Sequence, residues 1–187
     1  PCQSFSMAGK RKGMVTTSNV EVYTLEQYMK LREEEFEFEG QSYLFWEVVR
    51  LKEGITKLHR EKGLPTAEFL VENVKMTKKW EDIISNALGV KPVKIDAALV
   101  SAQSRVRLFW ASNPKISIPK DKGIKLSDII KNAEQGAGYR GRKLKGDDFY
   151  SYPLTVRKDH KSNCIVTKFG SHINNGQGHG TGYYIDK

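Results

Sequence analysis

The amino-acid sequence predicts an α/β fold, and three observations carry that expectation. Stretches whose apolar residues recur at helical spacing alternate with short apolar runs of strand length. Their order, loop, helix, strand, helix, strand, strand, suits the second half of an α/β unit better than an all-α or all-β domain. With 187 residues, 39% hydrophobic and 28% charged, the chain can bury one substantial core and is neither collagen-like nor wholly disordered. No stretch approaches the run of about 18 apolar residues that a transmembrane helix needs.

Residues 1–19, rich in Gly, Ser, Thr and Lys and without periodicity, read as a long loop. Thr24 caps a helix that starts at Leu25-Glu26-Gln27 and runs to about Arg32, where the sequence turns charge-rich. From about Tyr43 to Glu61 the apolar residues Phe45, Val48, Val49, Ile55 and Leu58 give an amphipathic helix that Gly63-Leu64-Pro65 stops. Phe69-Leu70-Val71 is a short strand run ending at Glu72-Asn73. Trp80, Ile83, Ile84, Ala87 and Leu88 lie at helical spacing, and Gly89 follows as a C-cap. Val93–Ala97 and Val106–Trp110 read as strands. Asn113-Pro114 and Pro119 mark a boundary. Beyond it come a short helix at Leu126–Ile130, a flexible basic loop from Gly136 to Gly146, and strands at Leu154–Val156 and Cys164–Phe169. The Gly-rich stretch from His172 to Tyr184 reads either as a DNA-facing loop or as disorder.

The formal charge is +9, from 31 basic and 22 acidic side chains, which favours a polyanionic partner without choosing between nucleic acid and a membrane surface. Lys10-Arg11-Lys12 concentrates charge near the start, and residues 140–187 hold nine basic residues against four acidic. Glu33, Glu34, Glu35, Glu37 and Glu39 form an acidic patch that would repel phosphate. Two cysteines, Cys2 and Cys164, make neither a disulfide framework nor a structural zinc site, so no metal is expected and a reducing compartment is the default. The first residues lack the basic and apolar stretches of a signal peptide. A chain that opens on Pro1-Cys2, with its most reactive residue at the terminus, reads as an internal piece of a longer protein.

Three short stretches carry chemistry. Cys2, flanked by Pro1 and polar sequence with Lys10-Arg11-Lys12 nearby, is either an exposed nucleophile whose thiolate those cations favour or an ordinary loop thiol. Glu72 at the end of an apolar strand is either a proton donor in a partly apolar site or a cap for the helix that follows near Thr77. Gln103-Ser104-Arg105-Val106-Arg107 places two guanidiniums two residues apart. In extended structure they share a face that suits phosphate or carboxylate, or else they are solvated strand charge.

Taken together, Pro1-Cys2-Gln3 continuing through Phe5-Ser6 and Gly9-Lys10, then Glu72-Asn73-Val74, then Gln103-Ser104-Arg105-Val106-Arg107 resemble, in this order, the motifs of the C5-cytosine DNA methyltransferase family. Leu44–Arg50 is similar to the family helix between the cysteine and glutamate motifs. The resemblance covers residues 1–112 well and the remainder by position only. It implies the second half of an S-adenosylmethionine-dependent, Rossmann-like methyltransferase domain over 1–112 and the start of a target-recognition domain over 113–187.

By that resemblance Cys2 would attack C6 of a flipped cytosine, and Glu72 would contact N3 and the exocyclic amine. Arg105 or Arg107 would hold the base oxygen or the backbone, and Gln103 would order the constellation. Gln3, Ser6, Lys10, Arg11 and Lys12 would touch double-stranded DNA from the loop. Arg140, Arg142, Arg157, Lys158, Asn174, Asn175 and Gln177 would read or position it from the recognition region. S-adenosyl-L-methionine is the implied cofactor. Its glycine-rich loop and acidic partners would precede the cysteine motif, so its main site is missing here, and only Pro1 would border it. The segment alone is accordingly expected to be inert or to need the missing parts of its own domain as partners. The alternative is a non-catalytic DNA-binding or regulatory methyltransferase-like protein. The resemblance places the protein in the cytoplasm of a bacterial or bacteriophage-infected cell.

Overall fold

The computed structural model describes residues 4–5, 12–129, 133–136, 139–143, 149–153, 161–163 and 183–186, with side chains at 4–5, 12–129 and 161. It is mixed α/β with a small antiparallel sheet. The chain divides into two compact units: one contains residues 1–95 and 106–118, the other residues 96–105 and 119–187. Among the described residues no helix is long and apolar enough to cross a membrane.

In the first unit, α1 (Leu25–Glu33) starts where the sequence places its cap, with the Thr24 hydroxyl accepting from the Gln27 amide at 3.1 Å. A single 3₁₀ turn at Ser42–Leu44 leads into α2 (Phe45–Glu61). The strand β1 (Leu70–Val74) follows, then α3 (Lys78–Leu88), which ends on Gly89 at φ 74°, the left-handed conformation glycine adopts freely. β2 (Val93–Asp96) and β4 (Val106–Ala111) complete a three-stranded sheet in the order β1-β4-β2.

The register of β1 against β4 is antiparallel, with Val71 opposite Trp110, Asn73 opposite Leu108 and Val74 opposite Arg107. Side chains alternate between faces, so Asn73, Leu108 and Trp110 are buried on one side. There they belong with a core built from α2 (Phe45, Trp46, Val49), α3 (Trp80, Ile84, Leu88) and α1 (Tyr28, Leu31), apart from Asn73, which is the polar member of that face. The Trp110 indole donates to the Ser85 hydroxyl at 2.9 Å, which satisfies its buried N–H.

Within the stretch read as a loop, residues 13–16 form no regular element but are packed: Met14, Val15 and Thr16 are buried, and isolated bridges join Val15 to Glu21 and Thr16 to Phe38. Together with Val22 these residues fill core space, so the acidic stretch after them folds onto the domain instead of standing off it. On α2 the buried face is Phe45-Trp46-Val49, while Val48, Ile55 and Leu58, read as core-facing, are exposed together with Leu51. Helical spacing marks a stripe, but two stripes were available, and the aromatic pair took the interior.

In the second unit a 3₁₀ turn at Ala97–Leu99 precedes β3 (Gln103–Ser104), which pairs in parallel with β8 (Ser162–Asn163). α4 is a single turn at Leu126–Ile129. β5 (Ala133–Gly136) pairs with β9 (Tyr183–Asp186), and β6 (Tyr139–Lys143) with β7 (Phe149–Pro153), both antiparallel. The basic stretch read as a flexible loop from Gly136 thus contains a paired strand. The strand segments expected at 154–156 and 164–169 lie outside the described residues.

Candidate functional site

The first unit brings together two of the residues singled out in the sequence. Val74 sits opposite Arg107, and Glu72 is two residues from Val74 on the same face, so Glu72 and Arg107 are diagonal neighbours across an antiparallel pair. Their side chains close that diagonal: Arg107 Nε lies 2.7 Å from Glu72 Oε1. The guanidinium is the more enclosed partner, with its side chain 19% exposed against 48% for the carboxylate, and its Nη1 also donates to the Val106 carbonyl at 2.8 Å. Glu72 therefore stands mid-strand in a half-solvated ion pair, not in an enclosed apolar site and not at the N-terminus of α3. Asn73, between Glu72 and Val74, points to the buried face, where its Oδ1 accepts from the Val74 amide at 2.8 Å. The pair places a carboxylate acceptor and a guanidinium donor together on one face of β1 and β4.

The two arginines part company. Arg107 belongs to β4 in the first unit, whereas Arg105 groups with residues 96–104 in the second. Arg105 falls between two strands, because β3 stops at Ser104 and β4 begins at Val106, where the sequence places a strand start. Asp96 is the physical reason, and reading the sequence passed it over. Its carboxylate accepts from the amides of Ala98 (3.0 Å) and Arg105 (2.7 Å) and from the Ser104 hydroxyl (3.0 Å), pinning the turn. Arg105 is exposed and Gln103 half-buried. An aspartate that ends a strand and caps a short turn is a recognisable sequence signal, but the partner at Arg105 is non-local.

No model of a known protein family matches the chain, and neither does any curated protein.

Of the loop expected to carry the nucleophile, Ser4 and Phe5 are described. Phe5 is buried, with its ring 6.0 Å from that of Trp80 in an edge-on contact, and the Ser4 carbonyl accepts from Gly13 at 3.0 Å. Pro1, Cys2, Gln3, Ser6, Lys10 and Arg11 lie outside the described residues, as do Arg157, Lys158, Asn174, Asn175 and Gln177. Arg140 and Arg142 are on β6, at register positions opposite Tyr152 and Tyr150. Lys12 is engaged within the fold: its ammonium meets Glu39 Oε2 at 2.5 Å and Asn19 Oδ1 at 3.3 Å. The acidic stretch thus neutralises a cation expected to face phosphate.

A depression of about 400 Å³ opens near the start of β1, lined by Phe69, Leu70 and Ile116 with Glu68, Asn113 and Lys115 among its polar members. It lies at the opposite end of the β1–β4 pair from Arg107, and Asn113 there already donates to Glu68 at 3.2 Å. Among the described residues no group of three or more His, Cys, Asp or Glu is placed to hold a metal ion.

Proposed function

We propose that this chain carries the nucleophile and the base-binding residues of a DNA cytosine-5 methyltransferase. In this reading its first part is the second half of an S-adenosylmethionine-dependent, Rossmann-like domain, and its last part begins a target-recognition domain. The observation that supports the reading is the Glu72–Arg107 pair on the open face of β1 and β4. It sets a carboxylate and a guanidinium side by side, a match for an edge that offers an amine donor, a ring nitrogen and a carbonyl.

Cytosine has that edge. Glu72 accepts from the exocyclic amine and, when protonated, donates to N3, while Arg107 donates to the base oxygen and holds the carboxylate in register. With electron density drawn toward N3, the Cys2 thiolate adds to C6: the S–C6 bond forms and the C5–C6 π pair becomes available at C5. S-adenosylmethionine, when bound, supplies the methyl group that C5 takes. The C5 proton then leaves, the S–C6 bond breaks, and the thiolate returns with the ring double bond restored. Because C6 is shielded inside a duplex, the base must leave the stack, at a cost of a few kcal/mol that protein contacts to the base and backbone offset.

The test uses the protein at the full length its gene encodes, with S-adenosylmethionine labelled in the methyl group and cytosine-containing duplex DNA. Label at cytosine C5 is the expected result. Label on the exocyclic amine, or none while DNA binding persists, overturns the reading. The second outcome would favour a DNA-binding or regulatory methyltransferase-like protein.

A further inference from the structure

We propose that Lys161, with Asp96, is a positioning residue that clamps the backbone of residues 97–105 and so sets the placement of Gln103 and Arg105 for contact with nucleic-acid phosphate. The proposal rests on the DNA-binding part of the function proposed above. The Lys161 ammonium donates to three backbone carbonyls: Ala98 at 2.7 Å, Ser101 at 3.1 Å and Ile124. Two of these lie in the segment before Gln103, and the third lies on a separate stretch of the same unit. The next residues, Ser162 and Asn163, pair with Gln103 and Ser104. From the other side the Asp96 carboxylate gathers Ala98, Ser104 and Arg105, while the Ala97 amide donates to the Arg105 carbonyl at 3.2 Å. The Ser101 hydroxyl, bonded to the Ala97 carbonyl and the Gln103 amide, closes the turn between them.

A charged donor or acceptor makes hydrogen bonds roughly twice as strong as neutral ones, so one cation and one anion directed at backbone over-determine this short segment. Surface lysines in a basic chain ordinarily keep their ammonium in solvent or on phosphate. Lys161 is half-buried and its ammonium reaches main-chain carbonyls of the segment before Gln103, so the clamp acts on DNA through the placement of Arg105 and the neighbouring Gln103. The geometry of a motif near residue 104 is thereby governed by a lysine far along the chain, in the region whose position suggests target recognition.

Two measurements on the 187-residue chain test this. Amide hydrogen exchange in Lys161→Met, which keeps side-chain length and removes the donors, should accelerate at least tenfold at Ala98 and Arg105 and stay unchanged at Leu108 and Trp110. Unchanged exchange at Ala98 and Arg105 overturns the clamp whether or not DNA binds. Titration of a fluorescent duplex then compares Lys161→Met, Arg105→Ala and the double variant across salt concentrations. The losses should overlap, with the double variant no weaker than the weaker single one and one shared decrease of about 0.9 in the logarithmic salt slope. Losses that multiply, each with its own slope change, would make Lys161 a separate phosphate contact and overturn the positioning role. Absence of salt-dependent binding by the unaltered chain would instead count against the proposed function, and the exchange result would still decide the clamp.

Discussion

Glu72 is half exposed yet fixed, because Arg107 reaches it across the strand pair from a more enclosed position. An ion pair with one partner this solvated contributes about 1 kcal/mol or less to folding. Glu72→Gln should therefore leave the urea midpoint of the chain nearly unchanged while slowing methyl transfer in the full-length protein by about 100-fold or more. A parallel fall in stability would recast the residue as structural. Gly13 presents the reverse case. It adopts φ 75°, and a Cβ built on it would lie 1.9 Å from the Trp80 ring. Gly13→Ala must both enter the left-handed region and displace a buried indole, an expected loss of about 2–4 kcal/mol in urea denaturation. Glu72 and Arg107 could both be singled out from sequence, because short polar sequence next to apolar runs stands out, and the fold brings the two together. Gly13 and Asp96 could not, since what defines them is a contact with a distant residue.

Elements whose ends carry their own chemistry were the readable ones. Thr24 and Gly89 delimit α1 and α3 by local hydrogen bonding and backbone freedom, which sequence displays directly. The buried face of α2 was not readable, because apolar residues occupy more than one of its sides and tertiary packing chose among them. β6 was likewise hidden: a basic, Gly-containing stretch gains strand structure by pairing with β7, a cross-strand match that local propensity does not encode. α1 and α2 are joined by a polar bond in which the Tyr28 hydroxyl donates to Glu47 Oε1 at 2.8 Å, and Arg32 and Arg50 meet the same carboxylate. Burial, followed by that bond to Glu47, pushes the Tyr28 phenol up to about 12 from an ordinary value of 10.0. A raised folded-state value means the stabilisation is fully present below about pH 10 and is lost as pH rises toward 12. Urea midpoints should fall more steeply across that window in the natural chain than in Tyr28→Phe. Identical pH profiles would show that the phenol does not couple the helices.

Across the whole molecule, the charge excess of +9 is unevenly available. Lys12, Lys79, Arg32 and Arg50 are each engaged with a carboxylate of the same unit, so net charge overstates the cations facing a partner. Sequence placed a boundary at Asn113-Pro114 and Pro119 and divided the chain after residue 112, whereas the compact units part between Ile118 and Pro119. It did not show that residues 96–105 group with the C-terminal unit, because Lys161 and the β3–β8 pairing act across long sequence separations. The central claim, that the Glu72–Arg107 pair serves a cysteine that attacks cytosine, meets its most direct test in a duplex bearing 5-fluorocytosine. After methyl transfer the fluorinated base has no C5 proton to lose, so under the proposed function the protein should stay linked to DNA. Mass spectrometry of the full-length protein incubated with that duplex and S-adenosylmethionine should locate the adduct at Cys2. An adduct formed by Cys2→Ala, or one mapped in the unaltered protein to Cys164, would contradict the account.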